Sequence, residues 1–369
     1  FIYQQKITAV LFSRIIAAEY YFLSGRALKN PEIHSDSLSL YLLVVLLFLI
    51  AAMIALVLHT KRNNISTGNF CYNTCCAYLC FVLMKYGLDK LFKTQFYLPE
   101  PNILFTAAGN LDKDILFWST MGSSRLFNLL TGAVEILAAI LLFFKKTRHA
   151  GILVSIIALL HVLLINISFD ISVKLFSCIL LFMALYLWIP YYKYFLQTIF
   201  SLPGFKASLG KSNRFTGIHL LKYFSGLVAT ALLLWPYMEQ GIFNDDKAAR
   251  PYLHGAYEVT GFFLGQDSSA AQNCPVKKVF IHRNGYIIFQ QENEQMRDYH
   301  IRYDTINKLL ALTDYKGSKT MVQYRHNSSD STLQLNYLQH GKMITLNTKE
   351  INWRQMSLLR DQFSWTSDL

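Results

Sequence analysis

Long apolar runs are the feature that most constrains how this chain folds. Six runs approach or reach the length of about 20 residues that a helix needs to cross a bilayer. They are Leu38–Leu58, Phe70–Met84, Leu126–Phe144, Ala150–Phe169, Val173–Ile189 and Ile218–Trp235. A seventh candidate, Ile7–Leu23, is interrupted by Arg14 and Glu19, and either spans the membrane or lies in its interface. The runs predict an α-helical membrane protein with six or seven transmembrane helices.

Composition and charge agree with a membrane location. Only 16% of the residues are charged and 53% are hydrophobic, whereas about 25% of an ordinary soluble domain is charged. Most of the net charge of +12 lies in residues 1–238, which also hold the apolar runs. A basic apolar region suits an anionic membrane surface better than it suits nucleic acid. We therefore expect membrane lipid as a partner and no nucleic acid.

The distribution of basic residues predicts the orientation in the membrane, because short cytoplasmic loops are enriched in Lys and Arg. Three short basic loops lie on one side of the predicted spans, around Lys61, Lys146 and Lys206. The segment Lys85–Arg125, on the other side, mixes acids with bases. This pattern predicts a multi-pass protein of the cell inner membrane, with everything after Trp235 extracytoplasmic. Ile7–Leu23 has no small-residue cleavage site after it, so we do not expect a cleaved signal peptide.

The end of the chain changes to the period-2 alternation of β-strands from about Lys277 onward. Asn284-Gly285 is a strong hairpin signal, His340-Gly341 is a second tight turn, and Trp353–Phe363 favours a closing helix. The predicted strands are Val279–His282, Tyr286–Gln290, Tyr299–Tyr303, Leu309–Thr313, Met321–Arg325, Thr332–Tyr337 and Met343–Asn347. They indicate a small antiparallel meander or barrel.

These patterns divide the chain into three predicted parts. Residues 1–238 form a transmembrane helical domain, residues 239–275 form a linker, and residues 276–369 form an extracytoplasmic β-rich domain.

Ionisable residues inside the predicted spans are the candidates for a functional site, since charges in a membrane are expensive and often functional. Glu135 and His161 lie deepest, and we expect them to pair; with Asp170 they are the candidate proton-handling groups. The candidate ligand-binding residues lie toward the external side and are Lys85, Asp89, Lys90, Arg125, Asn128, Asn166 and Lys174. Together these residues form either an outward-opening polar vestibule or a structural network of ion pairs near helix ends.

The sequence favours neither a metal site nor a soluble-enzyme motif. Cys71, Cys75, Cys76 and Cys80 lie on one predicted helix, which cannot supply a tetrahedral Cys₄ site alone. The chain has no phosphate loop, nucleotide fingerprint, His-Glu-x-x-His helix or Gly-x-Ser-x-Gly elbow. The sequence identifies no cofactor.

One part of the chain resembles a known family. The stretch from Lys85 to Phe96, in which Gly87 and Lys90 follow an apolar span, is similar to a helix end of DoxX-like bacterial membrane proteins. The next span continues the similarity with Gly132-Ala-Val-Glu135 and a basic turn at Lys145–Arg148. The resemblance covers about residues 70–190. It implies a four-helix membrane core, in some members tied to quinone-linked sulfur oxidation or thiol redox balance.

Two functional hypotheses follow. The first is an integral membrane accessory component of a redox or cell-envelope complex, whose C-terminal domain docks other membrane or periplasmic subunits. The alternative is a membrane enzyme that acts on a quinone or a lipid through the polar vestibule, with Arg125 and Lys174 binding an anionic head group. The sequence alone agrees with both a catalytic and a non-catalytic protein.

Overall fold

The computed structural model describes residues 12, 14–22, 24–26, 35–60, 64–192, 217–265, 274–339 and 341–360. These residues form two compact units. The helical unit comprises residues 1–92 and 129–241, and the barrel unit comprises residues 93–128 and 242–369. Some predicted features lie outside the described residues: the start of Ile7–Leu23, the basic residues from Lys193 to Arg214, His340, and the end of Trp353–Phe363.

The helices follow the apolar runs but differ from them in length. In chain order they are α1 (Leu38–Thr60), α2 (Asn64–Leu91), α3 (Pro101–Leu104), α4 (Lys113–Ser123), α5 (Arg125–Phe143), α6 (Arg148–Ser168), α7 (Lys174–Trp188) and α8 (Gly217–Gln240). A helical stretch over residues 14–22 precedes them. Helices α3 and α4 lie in the barrel unit.

The prediction of six or seven membrane-spanning helices is wrong. Among the described residues, three helices are long and apolar enough to cross a membrane: Leu38–Ala55, Arg125–Phe143 and Arg148–Ser168. Helix α7 has 15 residues, or about 22 Å at 1.5 Å per residue, against a hydrocarbon thickness of about 30 Å. Helix α2 has Asn73 within its predicted run and Lys85 directly after it, and these polar residues lower its hydropathy.

The core of the helical unit is built from small and branched apolar side chains of four helices. Leu79 of α2, Ala139 of α5, Ile152 of α6 and Leu187 of α7 are fully buried in one cluster. Helices α2 and α5 lie so close together that a Cβ atom added at Gly132 would be 2.7 Å from the carbonyl oxygen of Gly87. Only glycine fits such a contact between two backbones.

The C-terminal part of the chain is a closed barrel of eight antiparallel strands. The strands are β1 (Gly255–Leu264), β2 (Val276–His282), β3 (Tyr286–Gln291), β4 (Met296–Asp304), β5 (Leu309–Thr313), β6 (Lys319–Asn327), β7 (Thr332–Gln339) and β8 (Lys342–Ile351). Each strand pairs with the next one along the chain, and β8 pairs with β1 to close the barrel.

The seven predicted strands lie within β2 to β8, whereas β1 lies in the segment predicted as a linker. Strand β1 forms because its backbone closes the sheet between β8 and β2. The predicted closing helix is instead two short 3₁₀ turns, Trp353–Gln355 and Ser357–Leu359.

The inner and outer faces of the barrel wall pack against different groups of side chains. Side chains such as Val279, Ile281 and Ile287 point inward and fill the barrel with a buried apolar core, as expected for eight strands. Phe280 and Ile288 alternate with them and point outward. Their cover comes from the segment 93–128, which the sequence assigns to the transmembrane domain but which the structure places in the barrel unit.

The cover is an apolar cluster of its own. Leu98, Leu104 and Phe105 of the segment pack against the cluster that contains Phe280, and the ring centroids of Phe105 and Phe280 are 5.6 Å apart. Trp353, which follows the last strand, completes the cluster. The barrel unit is therefore built from two parts of the chain that are distant in sequence.

We predict that Phe280→Ala lowers the free energy of unfolding of the barrel unit by about 3–5 kcal/mol, because it leaves a cavity under the docked segment. Met321→Ala, at a half-exposed position on β6, should change it by no more than about 0.5 kcal/mol. Hydrogen-exchange mass spectrometry of the strand amides across a urea series measures both variants. Equal stability of the two variants would show that the packed segment does not stabilise the barrel.

Candidate functional site

The deepest predicted carboxylate, Glu135, forms an ion pair with Lys90. Lys90 Nζ lies 2.7 Å from Glu135 Oε2 and 2.8 Å from Oε1. The two side chains are 7% and 8% exposed. The close approach of α2 and α5 at Gly87 and Gly132 brings them together, because Lys90 lies about one turn after Gly87 and Glu135 about one turn after Gly132. The expected pairing of Glu135 with His161 is wrong, since His161 is exposed on α6.

A second charged group lies on the same helix. Lys85 Nζ lies 2.5 Å from Asp89 one turn along α2, and Tyr237 of α8 donates a hydrogen bond to the same carboxylate. The structure thus brings together four of the predicted residues, Lys85, Asp89, Lys90 and Glu135, as two ion pairs. Each acid has a basic partner, which is the arrangement expected of charges inside an apolar helical unit.

The other predicted residues of the helical unit lie elsewhere. Asp170 pairs with Lys174 at 2.6 Å, but the Asp170 side chain is 84% exposed. Asn166 is buried and donates a hydrogen bond to Ser177. His161, Asp170 and Glu135 therefore occupy three different environments and do not form one site.

Arg125 and Asn128 belong to the barrel unit. Arg125 is exposed. Asn128 is buried and donates hydrogen bonds to the backbone oxygens of Met121 and Ser124. The Asn128 contacts hold the turn that begins α5.

A buried set of charges, here called the clasp, ties the segment 93–128 to the barrel. Its centre is Glu100, whose carboxylate is 2.8 Å from His254 Nε2 and 2.5 Å from Arg283 Nε. Arg283 also reaches Asp245 at 2.8 Å. The Glu100 and His254 side chains are each only 3% exposed. A buried carboxylate needs such partners to offset the loss of water.

Lys93 provides the second half of the clasp. Its ammonium, on a side chain that is 2% exposed, lies 2.5 Å from Asp246 and 2.6 Å from the carbonyl oxygen of Gly122. Asp246 also accepts a hydrogen bond from the backbone nitrogen of Leu98. The clasp consequently fixes the start of the segment, from Lys93 to Glu100, while the Lys93 bond to Gly122 ties that start to a later part of the same segment.

The electrostatics of the clasp favour the charged form of Glu100. Burial alone would raise the pKa of Glu100, but the hydrogen bond from His254, the nearby His282 and the Arg283 guanidinium outweigh it and lower the pKa to about 2. Burial lowers the pKa of His282 below its usual value, although the Glu100 charge opposes this. His282 is therefore neutral at neutral pH.

A groove of about 300 Å³ lies on the outer wall of the barrel, beside the clasp. It is lined by Asn102, His282, Tyr286, Ile288, Met296, Asp298 and Tyr315. Asn102 comes from the docked segment, and Tyr315 comes from the loop between β5 and β6. The groove combines aromatic rings, an amide and one carboxylate, which is the composition of a site that binds a polar group.

Sequence reasoning missed both the clasp and the groove. The alternation after Asn284-Gly285 places Tyr286 and Ile288 on one face of β3, and this pattern is the sequence feature that indicates the floor of the groove. The clasp has no local signal, because Glu100 and Arg283 are 183 positions apart in the chain.

Comparisons with known proteins find a relative over part of the chain. The uncharacterized protein YwoB of Bacillus subtilis (strain 168) is 34% identical over 110 residues, which cover 30% of this chain and 70% of that protein. No family model matches the chain, and no solved structure matches it. The resemblance to DoxX-like proteins stays a prediction.

We predict that Lys90→Met and Glu135→Leu each cost about 3–5 kcal/mol of stability, because either change leaves a buried charge without its partner. The double variant should regain most of that loss, since it removes both charges. Unfolding in detergent by increasing denaturant gives the three values. Asp170→Asn, which breaks an exposed pair, is the control and should leave the unfolding midpoint unchanged. A double variant as unstable as the sum of the single variants would contradict the pairing.

We also predict that acid releases the segment 93–128 from the barrel. The pKa of Glu100 falls from 4.5 to about 2 on folding, so its charge stabilises the folded unit fully above pH 4.5. That contribution is lost as the pH falls through the range from 4.5 to about 2. The protection factors of the segment amides, which correct for the pH dependence of intrinsic exchange, should therefore fall over that range. Glu100→Gln should flatten this dependence, whereas Glu258→Gln, at an exposed strand position, should not.

Proposed function

The chain belongs to the family of the uncharacterized protein YwoB, and we propose from its structure that it is a membrane-anchored accessory protein whose barrel unit docks another protein. The observation that carries this proposal is the groove on the outer barrel wall, lined by Tyr286, Asp298, Tyr315 and their neighbours. The partner would be another membrane or periplasmic subunit of a redox or cell-envelope complex.

The proposed anchor is the set of three apolar helices. Helix α1 exposes large apolar side chains, including Phe48 at 68% and Met53 at 65%. Contiguous apolar surface of this kind is costly in water and favourable against lipid tails. This supports membrane lipid as the medium around the helical unit.

The barrel unit combines two separate stretches of the chain, and both must lie on the same side of the membrane. The segment 93–128 and the residues after 242 pack into one unit, so they lie on the same side of the membrane. The acid-free basic loop at Lys145, between the proposed spans α5 and α6, then belongs to the opposite, cytoplasmic side under the positive-inside rule. We therefore place the barrel unit outside the cytoplasm, on the cell inner membrane.

The barrel supports docking on its surface rather than transport of a ligand inside it. Its interior is filled by inward-facing side chains such as Ile281, Leu310 and Leu333, which are fully buried. An eight-stranded barrel filled in this way is a rigid platform. The groove, by contrast, is open on the outer wall.

The alternative of a quinone or lipid enzyme needs Glu135, His161 and Asp170 to act on one substrate. Glu135 is closed off by Lys90, His161 is exposed on α6, and Asp170 lies in an exposed ion pair. This geometry gives that mechanism no assembled acid and base, so the docking function has the better support.

We predict that a photo-crosslinker at the groove captures one partner in intact cells. Tyr315, which is 75% exposed, is replaced by p-benzoylphenylalanine, and the matched control carries the same group at Leu338, 61% exposed on β7. A discrete cross-linked protein from position 315 alone, identified by mass spectrometry, is the expected result. The same bands from both positions, or adducts with lipid only, would contradict a docking surface at the groove.

A further inference from the structure

The floor of the groove is a pair of adjacent strands with a regular register. On β3 and β4, Tyr286 lies opposite His300, and Ile288 lies opposite Asp298. These four residues share the outer face of the barrel, because the inward-facing Ile287 and Ile301 alternate with them. Asp298 thus projects from a rigid sheet between apolar and aromatic neighbours.

Three rings lie in a row along this floor. The ring centroids of Tyr286 and His300 are 4.4 Å apart, and those of His300 and Tyr315 are 6.0 Å apart. Tyrosine rings present a negative face that attracts cations. The row therefore provides flat surfaces for a planar or positively charged group.

Asp298 supplies the negative charge. Its carboxylate accepts a hydrogen bond from the Tyr315 hydroxyl, which leaves further lone pairs for a ligand. His282, which also lines the groove, is held neutral by burial, which lowers its pKa. Within the described residues that line the groove, Asp298 is the one side chain charged at neutral pH.

The wall of the groove adds a hydrogen-bond acceptor. The amide oxygen of Asn102 is covered by surrounding atoms and has no hydrogen-bond partner among the described residues. A buried acceptor without a donor is costly. A ligand with several N–H groups would satisfy it after a rotation of the Asn102 side chain, and the same ligand would pair with Asp298.

From these contacts we infer that the groove binds the guanidinium group of an arginine side chain on the partner protein, between Tyr286, Tyr315 and Asp298. The inference rests on the proposed docking function. A guanidinium is planar, carries five N–H donors and stacks on aromatic rings while pairing with a carboxylate. A quaternary ammonium head group has no N–H donor for Asp298 or Asn102, so the groove favours a protein side chain over a choline lipid.

The test measures binding of small probes to the full chain in detergent. Met296 lines the groove, and Met321 lies on the exposed surface of β6. Selective ¹³C labelling of methionine methyl groups therefore gives a reporter and an internal control. The probes are N-acetyl-arginine methylamide, its neutral citrulline analogue and tetramethylammonium.

The expected result is a saturable shift of the Met296 signal with the arginine probe, without a shift of the Met321 signal. The citrulline probe and tetramethylammonium should each bind at least about tenfold more weakly, because each lacks either the charge or the donors. Equal affinity for arginine and citrulline, tighter binding of tetramethylammonium, or no Met296 shift with any probe would overturn the inference.

Variants of the chain sharpen the result. Asp298→Asn should weaken the arginine probe about tenfold, to the level of citrulline, whereas Glu258→Gln removes the same charge elsewhere on the barrel and should have no effect. Tyr315→Leu should also weaken binding, and Tyr315→Phe, which keeps the ring, should retain most of it. An unchanged Met321 signal shows that each variant is folded. Arginine binding that survives both Asp298→Asn and Tyr315→Leu would overturn the inference.

The outcome is separable from that of the docking proposal. A partner cross-linked at position 315 together with no preference for arginine would leave docking intact and remove the arginine. Arginine binding without any cross-linked partner would remove docking as the function of the groove.

Discussion

The barrel unit depends on one buried ion pair, that of Glu100 with Arg283. Glu100 lies in a segment that precedes the barrel in sequence by more than a hundred residues, and Arg283 lies at the hairpin between β2 and β3. The pair holds the segment where Leu98 and Phe105 cover the outward-facing Phe280. It also places Asn102 at the edge of the groove. An apolar patch on the barrel would otherwise face water.

The helical unit meets a related constraint in a different way. A charged side chain inside an apolar bundle needs a partner of opposite charge. The close contact of α2 and α5 at Gly87 and Gly132 brings Lys90 next to Glu135. The positions of Gly87 and Gly132 thereby determine that Lys90 is the lysine that pairs with Glu135. In both units, the cost of a buried charge selects which distant parts of the chain come together.

How far the sequence predicted the structure depends on the range of the contacts involved. The strands from Val276 onward follow local alternation, and the sequence predicted them well. Strand β1 has weaker alternation and owes its existence to its pairing with β8, so local patterns assigned it to a linker. The length of the apolar runs overestimates the number of spans, because α2 carries polar residues and α7 is short. Depth alone pairs Glu135 with His161, whereas Lys90 reaches Glu135 through the contact between α2 and α5, which local patterns do not predict.

The order in which the chain is made has a consequence for the docked segment. Glu100 is synthesised 183 residues before Arg283, and ribosomes add about 5–20 residues per second. For roughly 10–40 s, the apolar side chains of Leu98 and Phe105 and the charge of Glu100 therefore exist without the surface they later bind. During that interval the apolar side chains of the segment stay uncovered, and formation of the β2–β3 hairpin brings Arg283 into place and covers them.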